Sequence, residues 1–159
     1  MSYVFSWYDS PVGRLKLIAG DKGLAAILWP DDRPRRVRVE APVEDPAHPV
    51  LVQTARQLGE YFAGQRQTFS VPLDFHGTTF QQAVWQRLLA IPYGETRSYG
   101  QLAAELGKPS AVRAVGAANG RNPISIIAPC HRVIGQNGSL TGFAGGLEVK
   151  ARLLALESA

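Results

Sequence analysis

The sequence predicts an α+β protein in two parts: an N-terminal antiparallel β-meander with one helix, then a mainly helical C-terminal part containing a helix-turn-helix. Three observations predict it. Short aromatic and β-branched runs near the N-terminus are punctuated by Gly, Pro and Asp. From Pro49 onward, apolar residues also recur at helical spacing. Beyond residue 77, helical runs are separated by cap residues and glycine or proline stops.

Tyr3-Val4-Phe5-Ser6-Trp7-Tyr8 reads as a first strand, and Asp9 to Gly13 as a turn. Leu15 to Ala19 resumes a strand, Gly20 to Gly23 turns, and Leu24 to Trp29 completes the meander. Val37 and Val39 suggest one more strand in an otherwise aperiodic stretch. There Arg33, Arg35, Arg36 and Arg38 read as a solvated edge balanced by nearby acids. Val50, Leu51, Ala55, Leu58, Tyr61 and Phe62 form a helical stripe over 49–62, with Gly64 as its stop. Phe69, Val71, Leu73 and Phe75 alternate as a strand would. A boundary near residue 77 divides the chain into 1–77, a scaffold, and 78–159.

In the second part, Phe80 to Ala90 reads as a helix capped by threonine, with Phe80, Ala83, Val84, Leu88 and Leu89 on one side. Ser98 caps a helix from Tyr99 to Leu106, and Gly107-Lys108-Pro109 turns the chain. Ser110 then caps a helix from Ala111 to Asn119. This pair has helix-turn-helix form, though any compact helical hairpin has the same pattern. The second helix is built of small residues, which allow close approach to another surface. A glycine-rich loop, Thr141 to Gly146, leads into a last helix from Leu147 to Leu156.

Composition narrows the function. With 45% hydrophobic and 19% charged residues, the chain can bury a core, and its apolar runs are too short for a membrane helix. The start lacks a signal-peptide pattern, so a cytoplasmic location is expected. A single cysteine rules out internal disulfides and multi-cysteine zinc sites, and fits a reducing compartment. Residues 1–77 carry nine Lys/Arg and nine Asp/Glu, whereas 78–159 carry eight and four. The whole excess of +4 sits in the second part, as expected of a nucleic-acid partner or of an ordinary solvated surface.

The cysteine, Cys130, is followed by His131 and preceded by Pro129, which stiffens the backbone. A thiolate beside an imidazole is the combination nucleophilic sulfur chemistry requires. A small buried hydrophobe is the alternative, and the dipeptide leaves both readings open. In a regular strand the two side chains would point to opposite faces, so cooperation requires a local turn. Asn122, before Pro123, reads as a turn-former, and Glu157 by default as an exposed charge.

Pro129-Cys130-His131-Arg132-Val133 resembles the active-site signature of the O6-alkylguanine-DNA alkyltransferases, the methylated-DNA–protein-cysteine methyltransferases. Arg121-Asn122-Pro123, Ile91-Pro92-Tyr93-Gly94 to Ser98-Tyr99, Arg113-Ala114-Val115-Gly116 and Gly145-Gly146-Leu147 match the family in order and spacing. The match is close over 78–157, while 1–76 is similar only in length and layout.

The resemblance implies DNA repair by direct, irreversible transfer of the alkyl group of O6-alkylguanine, and of O4-alkylthymine, to Cys130. The damaged base is flipped out of the duplex and the protein is used once. Carried over by position, His131 is the base acting through a water, Glu157 orients it, Tyr99 donates a proton to the leaving guanine, and Asn122 braces the turn. Arg113 fills the gap left by the flipped base. Ala111, Ala114, Gly116 and Ala117 press into the minor groove. Arg121, Arg132, Val133, Phe143, Gly145 and Lys150 complete the implied DNA and substrate contacts. Phe143 departs from the family's usual tyrosine, keeping the aromatic wall but losing a hydroxyl. Some members hold a structural zinc through N-terminal cysteines and histidines. This chain lacks those cysteines, so no metal and no cofactor is expected, and His48 and His76 read as surface residues.

The implied partner is double-stranded DNA with an alkylated guanine, bound by a monomer, with cooperativity left open. Two rivals are a helix-turn-helix protein with an inert buried cysteine, and a cysteine hydrolase in which Asn122 or Glu157 orients His131.

Overall fold

The computed structural model describes residues 2–159. The chain forms two compact units, one up to His76 and one from Gly77 to Ala159.

In the first unit, β1 (Val4–Ser10), β2 (Gly13–Gly20) and β3 (Gly23–Leu28) form the expected meander, with Val4 opposite Ala19 and Lys16 opposite Leu28. Both hairpins have two-residue loops, and the first is closed by the Ser10 hydroxyl donating to the Gly13 carbonyl at 2.6 Å. Gly23 is required where it stands. Its φ is +148°, and an added Cβ would lie 2.4 Å from the Pro72 carbonyl oxygen. That close approach lets Leu24 N–H donate to Pro72 O and Asp74 N–H to Leu24 O.

Three expectations fail here. Val37 and Val39 are not in a strand; the fourth strand is the short β4 (Val43–Glu44), which pairs parallel with β1, so the sheet is mixed with order β3-β2-β1-β4. The alternating run 69–75 contributes only an isolated bridge between Leu24 and Leu73. Arg36 is not solvated but buried, its Nε and Nη2 each 2.7 Å from the Asp32 carboxylate.

Helix α1 (Pro49–Phe62) packs on the three long strands through Leu51, Thr54, Leu58 and Tyr61, the recurring positions of one face. His48 has a definite task in this unit: its Nδ1 accepts from Val50 N–H and caps α1. The helix ends before Gly64, whose φ of +76° suits glycine.

The second unit begins with α2 (Thr79–Leu88), held by a reciprocal capping box between Thr78 and Gln81. Its buried face is Val84, Trp85 and Leu88; Ala83 and Leu89 lie exposed, one position off the expected stripe. The Trp85 indole N–H donates to Ala118 O at 2.8 Å and ties α2 to α4 (Val112–Gly120). Between them runs α3 (Tyr99–Glu105), capped by Ser98 with Gln101 in a second capping box. Helix α4 has no side-chain cap: its first boundary residue is Ala111, and Ser110 does not serve.

Two further strands, β5 (Arg97–Ser98) and β6 (Val133–Ile134), pair parallel, with Arg97 opposite Val133. This pairing sets the start of α3 beside the segment that follows Cys130. Helix α5 (Leu147–Glu157) packs against the 3-10 turn Cys130–Arg132. Among the described residues no helix is long and apolar enough to cross a membrane.

Candidate active site around Cys130

The backbone reaches Cys130 through two tight reversals. Ile126 has φ +75°, with Ile127 N–H donating to Ser125 O at 2.9 Å, a γ-turn of the rare left-handed kind. A β-branched residue there is strained, at a cost of about 1–3 kcal/mol. Pro129, at φ −81° and ψ 66°, makes the commoner inverse γ-turn, closed by Cys130 N–H to Ala128 O at 2.8 Å. Asn122 holds the strained segment: its Nδ2 donates to Ala128 O at 2.8 Å and its Oδ1 accepts from Ile124 N–H at 3.0 Å. All residues from Asn122 to Val133 are buried.

Because Cys130, His131 and Arg132 form a 3-10 turn rather than a strand, their side chains fan out instead of alternating. The local irregularity that cooperation demanded is therefore present. His131 is fully buried, with Nε2 2.6 Å from Glu157 Oε2. Glu157, the default surface residue, is buried as well. Arg132 grips the same carboxylate with two forks, Nε to Oε1 at 2.7 Å and Nη2 to Oε2 at 3.0 Å, and donates Nη1 to Ile91 O at 2.7 Å.

A carboxylate can only accept, so Glu157 places the imidazole proton on Nε2 and leaves Nδ1 as a lone-pair acceptor. Nδ1 has no protein partner among the described residues. Burial pushes the His131 pKa below its usual value, the bond and charge of Glu157 pull against this, and Arg132 and Lys150 add to the lowering. His131 is therefore a neutral imidazole near neutral pH, able to take a proton.

Lys150 is also fully buried, its Nζ donating to Val133 O at 2.6 Å and Thr141 O at 2.9 Å. Desolvation lowers its pKa, and the charge of a Cys130 thiolate acts in the opposite sense. Tyr99 begins α3, with its hydroxyl 2.9 Å from Thr141 Oγ1. On α4, Arg113, Ala114 and Ala117 are exposed, Ala111 and Gly116 half-buried, and Val115, Ala118 and Asn119 buried. Arg121, which follows α4, is exposed. Among the described residues no group of three His, Cys, Asp or Glu is placed to hold a metal ion.

Comparison with known proteins finds two family models covering nearly the whole chain. Residues 79–159 match the DNA binding domain of 6-O-methylguanine DNA methyltransferase, and residues 3–75 match its ribonuclease-like domain. The chain belongs to this methyltransferase family.

A methylated-DNA–protein-cysteine methyltransferase from Mycolicibacterium paratuberculosis is 49% identical over 149 residues, covering 94% of this chain and 88% of the relative. One from Methanosarcina acetivorans is 46% identical over 153 residues, covering 96% and 97%. The crystal structure of Mycobacterium tuberculosis OGT in complex with DNA superposes with a TM-score of 0.88 at 47% identity, covering 99% of this chain and 93% of that one. Its fold is the one described above: an N-terminal sheet unit and a helical C-terminal unit.

Within this methyltransferase family fold, the residues singled out from sequence separate into three groups. Cys130, His131, Glu157 and Asn122 lie in one buried cluster. Arg113, Ala114, Ala117 and Arg121 lie on an open surface, and half-buried Phe143 and Gly145 lie in the loop before α5. Arg132, Val133 and Lys150 are buried, Arg132 bonded to Glu157 and Lys150 to the main-chain carbonyl of Val133. Asn122 does not orient His131, because both ends of its amide are spent on backbone groups.

Sequence reasoning passed over Asn119, Thr141 and Ile126. Asn119 is the one polar side chain between Ala114 and Gly120, which is its only signal; nothing in the sequence marks a left-handed isoleucine.

Proposed function

We propose that this protein repairs DNA by transferring the alkyl group of O6-alkylguanine directly to Cys130. The observation that carries the reading is His131, buried next to Cys130, with Nε2–H committed to Glu157 and Nδ1 open. Membership of the methyltransferase family supports it, as does the crystallised relative bound to DNA.

The chemistry follows from these groups. His131 Nδ1, through a water, takes the Cys130 thiol proton, and Glu157 stabilises the imidazolium that forms. The thiolate attacks the alkyl carbon, the S–C bond forms as the O6–C bond breaks, and the electron pair leaves with the guanine. Tyr99 gives that guanine a proton and regains one from solvent. The buried Lys150 ammonium favours the thiolate electrostatically. A thioether has no leaving tendency under these conditions, and no second nucleophile accompanies Cys130, so each molecule acts once.

Reaching O6 requires the base to leave the stack. The small exposed face of α4, at Ala114 and Ala117, suits a close fit in the minor groove, with Arg113 entering the vacated space and Arg121 meeting phosphate. Half-buried Phe143 and Gly145 suit the wall of the base pocket. O4-alkylthymine presents the same alkyl–oxygen linkage and is a second substrate. The first unit serves as a scaffold, and the protein works as a cytoplasmic monomer. A cysteine hydrolase is disfavoured, because it has no use for an exposed basic helix of small residues.

Intact-mass spectrometry after mixing with a duplex containing one O6-methylguanine tests this. The expected result is a gain of one methyl group, mapped to Cys130 and absent in Cys130→Ser. An unmodified protein that still binds the duplex would leave only a DNA-binding module.

A further inference from the structure

Two hydroxyls meet in the second unit, and only one of them, that of Tyr99, has a part in the chemistry above. The other belongs to Thr141, its Oγ1 2.9 Å from the Tyr99 hydroxyl oxygen. Each partner is held by a frame of its own. Tyr99 opens α3 behind the Ser98–Gln101 capping box, and Ser98 pairs with Ile134 in the β5–β6 ladder. The Tyr99 ring lies over Gly116 of α4, where an added Cβ would be 3.8 Å from its Cδ1. Thr141 is exposed and in a loop, yet its carbonyl accepts from the buried Lys150 Nζ, which also holds Val133 O. Val133 and Ile134 are the two residues of β6. One short strand thus fixes both partners, the start of α3 through β5 and Thr141 through Lys150.

The pair has a productive direction. A hydroxyl donates one proton and also accepts. If Tyr99 donates to Thr141, the phenol proton is spent on that bond. If Thr141 donates to Tyr99, the phenol proton is left to point at another acceptor, and only then can it pass to a departing guanine. As that O–H bond breaks, its electron pair stays on the phenol oxygen. A donor already aimed there binds the developing phenolate more strongly than the phenol, which lowers the barrier. Thr141 keeps its own proton throughout.

We propose that Thr141 is a positioning residue for the reaction: its hydroxyl donates to the Tyr99 oxygen, frees the phenol proton for the leaving guanine and stabilises the phenolate that results. The inference rests on the alkyl-transfer reading above and deepens it.

The test times methyl transfer to Cys130 from a duplex with one O6-methylguanine, across DNA concentration. Wild type, Thr141→Val, Thr141→Ser, Tyr99→Phe and the Tyr99→Phe/Thr141→Val double variant are compared. Thr141→Val keeps the shape and loses the hydroxyl; its saturating rate should fall at least about tenfold, with the half-saturating DNA concentration unchanged. Thr141→Ser, which returns the hydroxyl, should recover most of that rate. In the Tyr99→Phe background, Thr141→Val should cause no further loss, because its effect passes through the phenol. A valine variant with the full saturating rate, or one that only needs more DNA, would overturn the proposal. So would a serine variant as slow as the valine one, or losses that multiply in the double variant. Tyr99→Phe at the wild-type rate would also overturn it, while leaving the alkyl-transfer reading in place. Failure of that reading looks different: the wild type itself would then transfer no methyl, overturning both.

Discussion

Two sets of cations in the second unit behave in opposite ways. On and just after α4, Arg113 and Arg121 stand exposed beside small residues. Beneath the Cys130 turn, Arg132 and Lys150 are buried, one neutralised by Glu157 and the other wired to two backbone carbonyls. A count of charges treats all four alike. The structure divides them: the inner pair is buried around the Cys130 turn, and the outer pair is exposed to solvent. The net positive charge of the second half is therefore an imperfect measure of its DNA-binding face.

The largest effect in breaking this contrast should come from the inner set. Arg132→Met leaves Glu157 buried without its bidentate partner and should cost about 3–5 kcal/mol, read by denaturant unfolding. Asn122→Ala removes the brace from the strained turn, strands Ile124 N–H and takes from Ala128 O one of its two donors. A loss of about 2–3 kcal/mol is expected by the same measurement, with slower methyl transfer.

A pH titration of stability sharpens the picture further. His131 is held neutral in the fold, so its folded pKa lies below the unfolded value of about 6.5. Below pH 6.5 the unfolded chain takes up a proton that the folded chain refuses, so stability falls as pH falls. The slope approaches about 1.4 kcal/mol per pH unit until the folded pKa is reached. His131→Gln should flatten that slope.

The smallest stability change belongs to the outer set. Arg121→Ala should stay within about 0.5 kcal/mol of wild type. Its signature is elsewhere: the slope of log affinity for duplex DNA against log salt should decrease by about one, measured by fluorescence anisotropy.

What the sequence shows of this architecture is mostly local. Ser98 and Thr78, each three residues before a glutamine, mark helix starts through contacts made within one turn. The meander is likewise carried by two-residue loops between β-forming runs. Illegible features depend on partners distant in sequence. Val43–Glu44 becomes a strand only because β1 has a free edge, and Leu73 bridges Leu24 only because Gly23 leaves room.

In the site, the need for a turn at Cys130 follows from side-chain alternation, but the burial of Arg132, Lys150 and Glu157 does not. Each side chain is polar, and each is stable inside through groups 9 to 41 residues away in the chain.

The division of labour between inner and outer residues is tested most directly by transfer rates measured across DNA concentration for Arg121→Ala and Glu157→Gln side by side. Arg121→Ala should require more methylated duplex to saturate yet reach the wild-type rate. Glu157→Gln should saturate at the wild-type DNA concentration but transfer methyl at least about tenfold more slowly, since His131 loses its orienting carboxylate. A Glu157→Gln protein that transfers at full rate, or an Arg121→Ala protein limited in rate rather than in binding, would contradict the account.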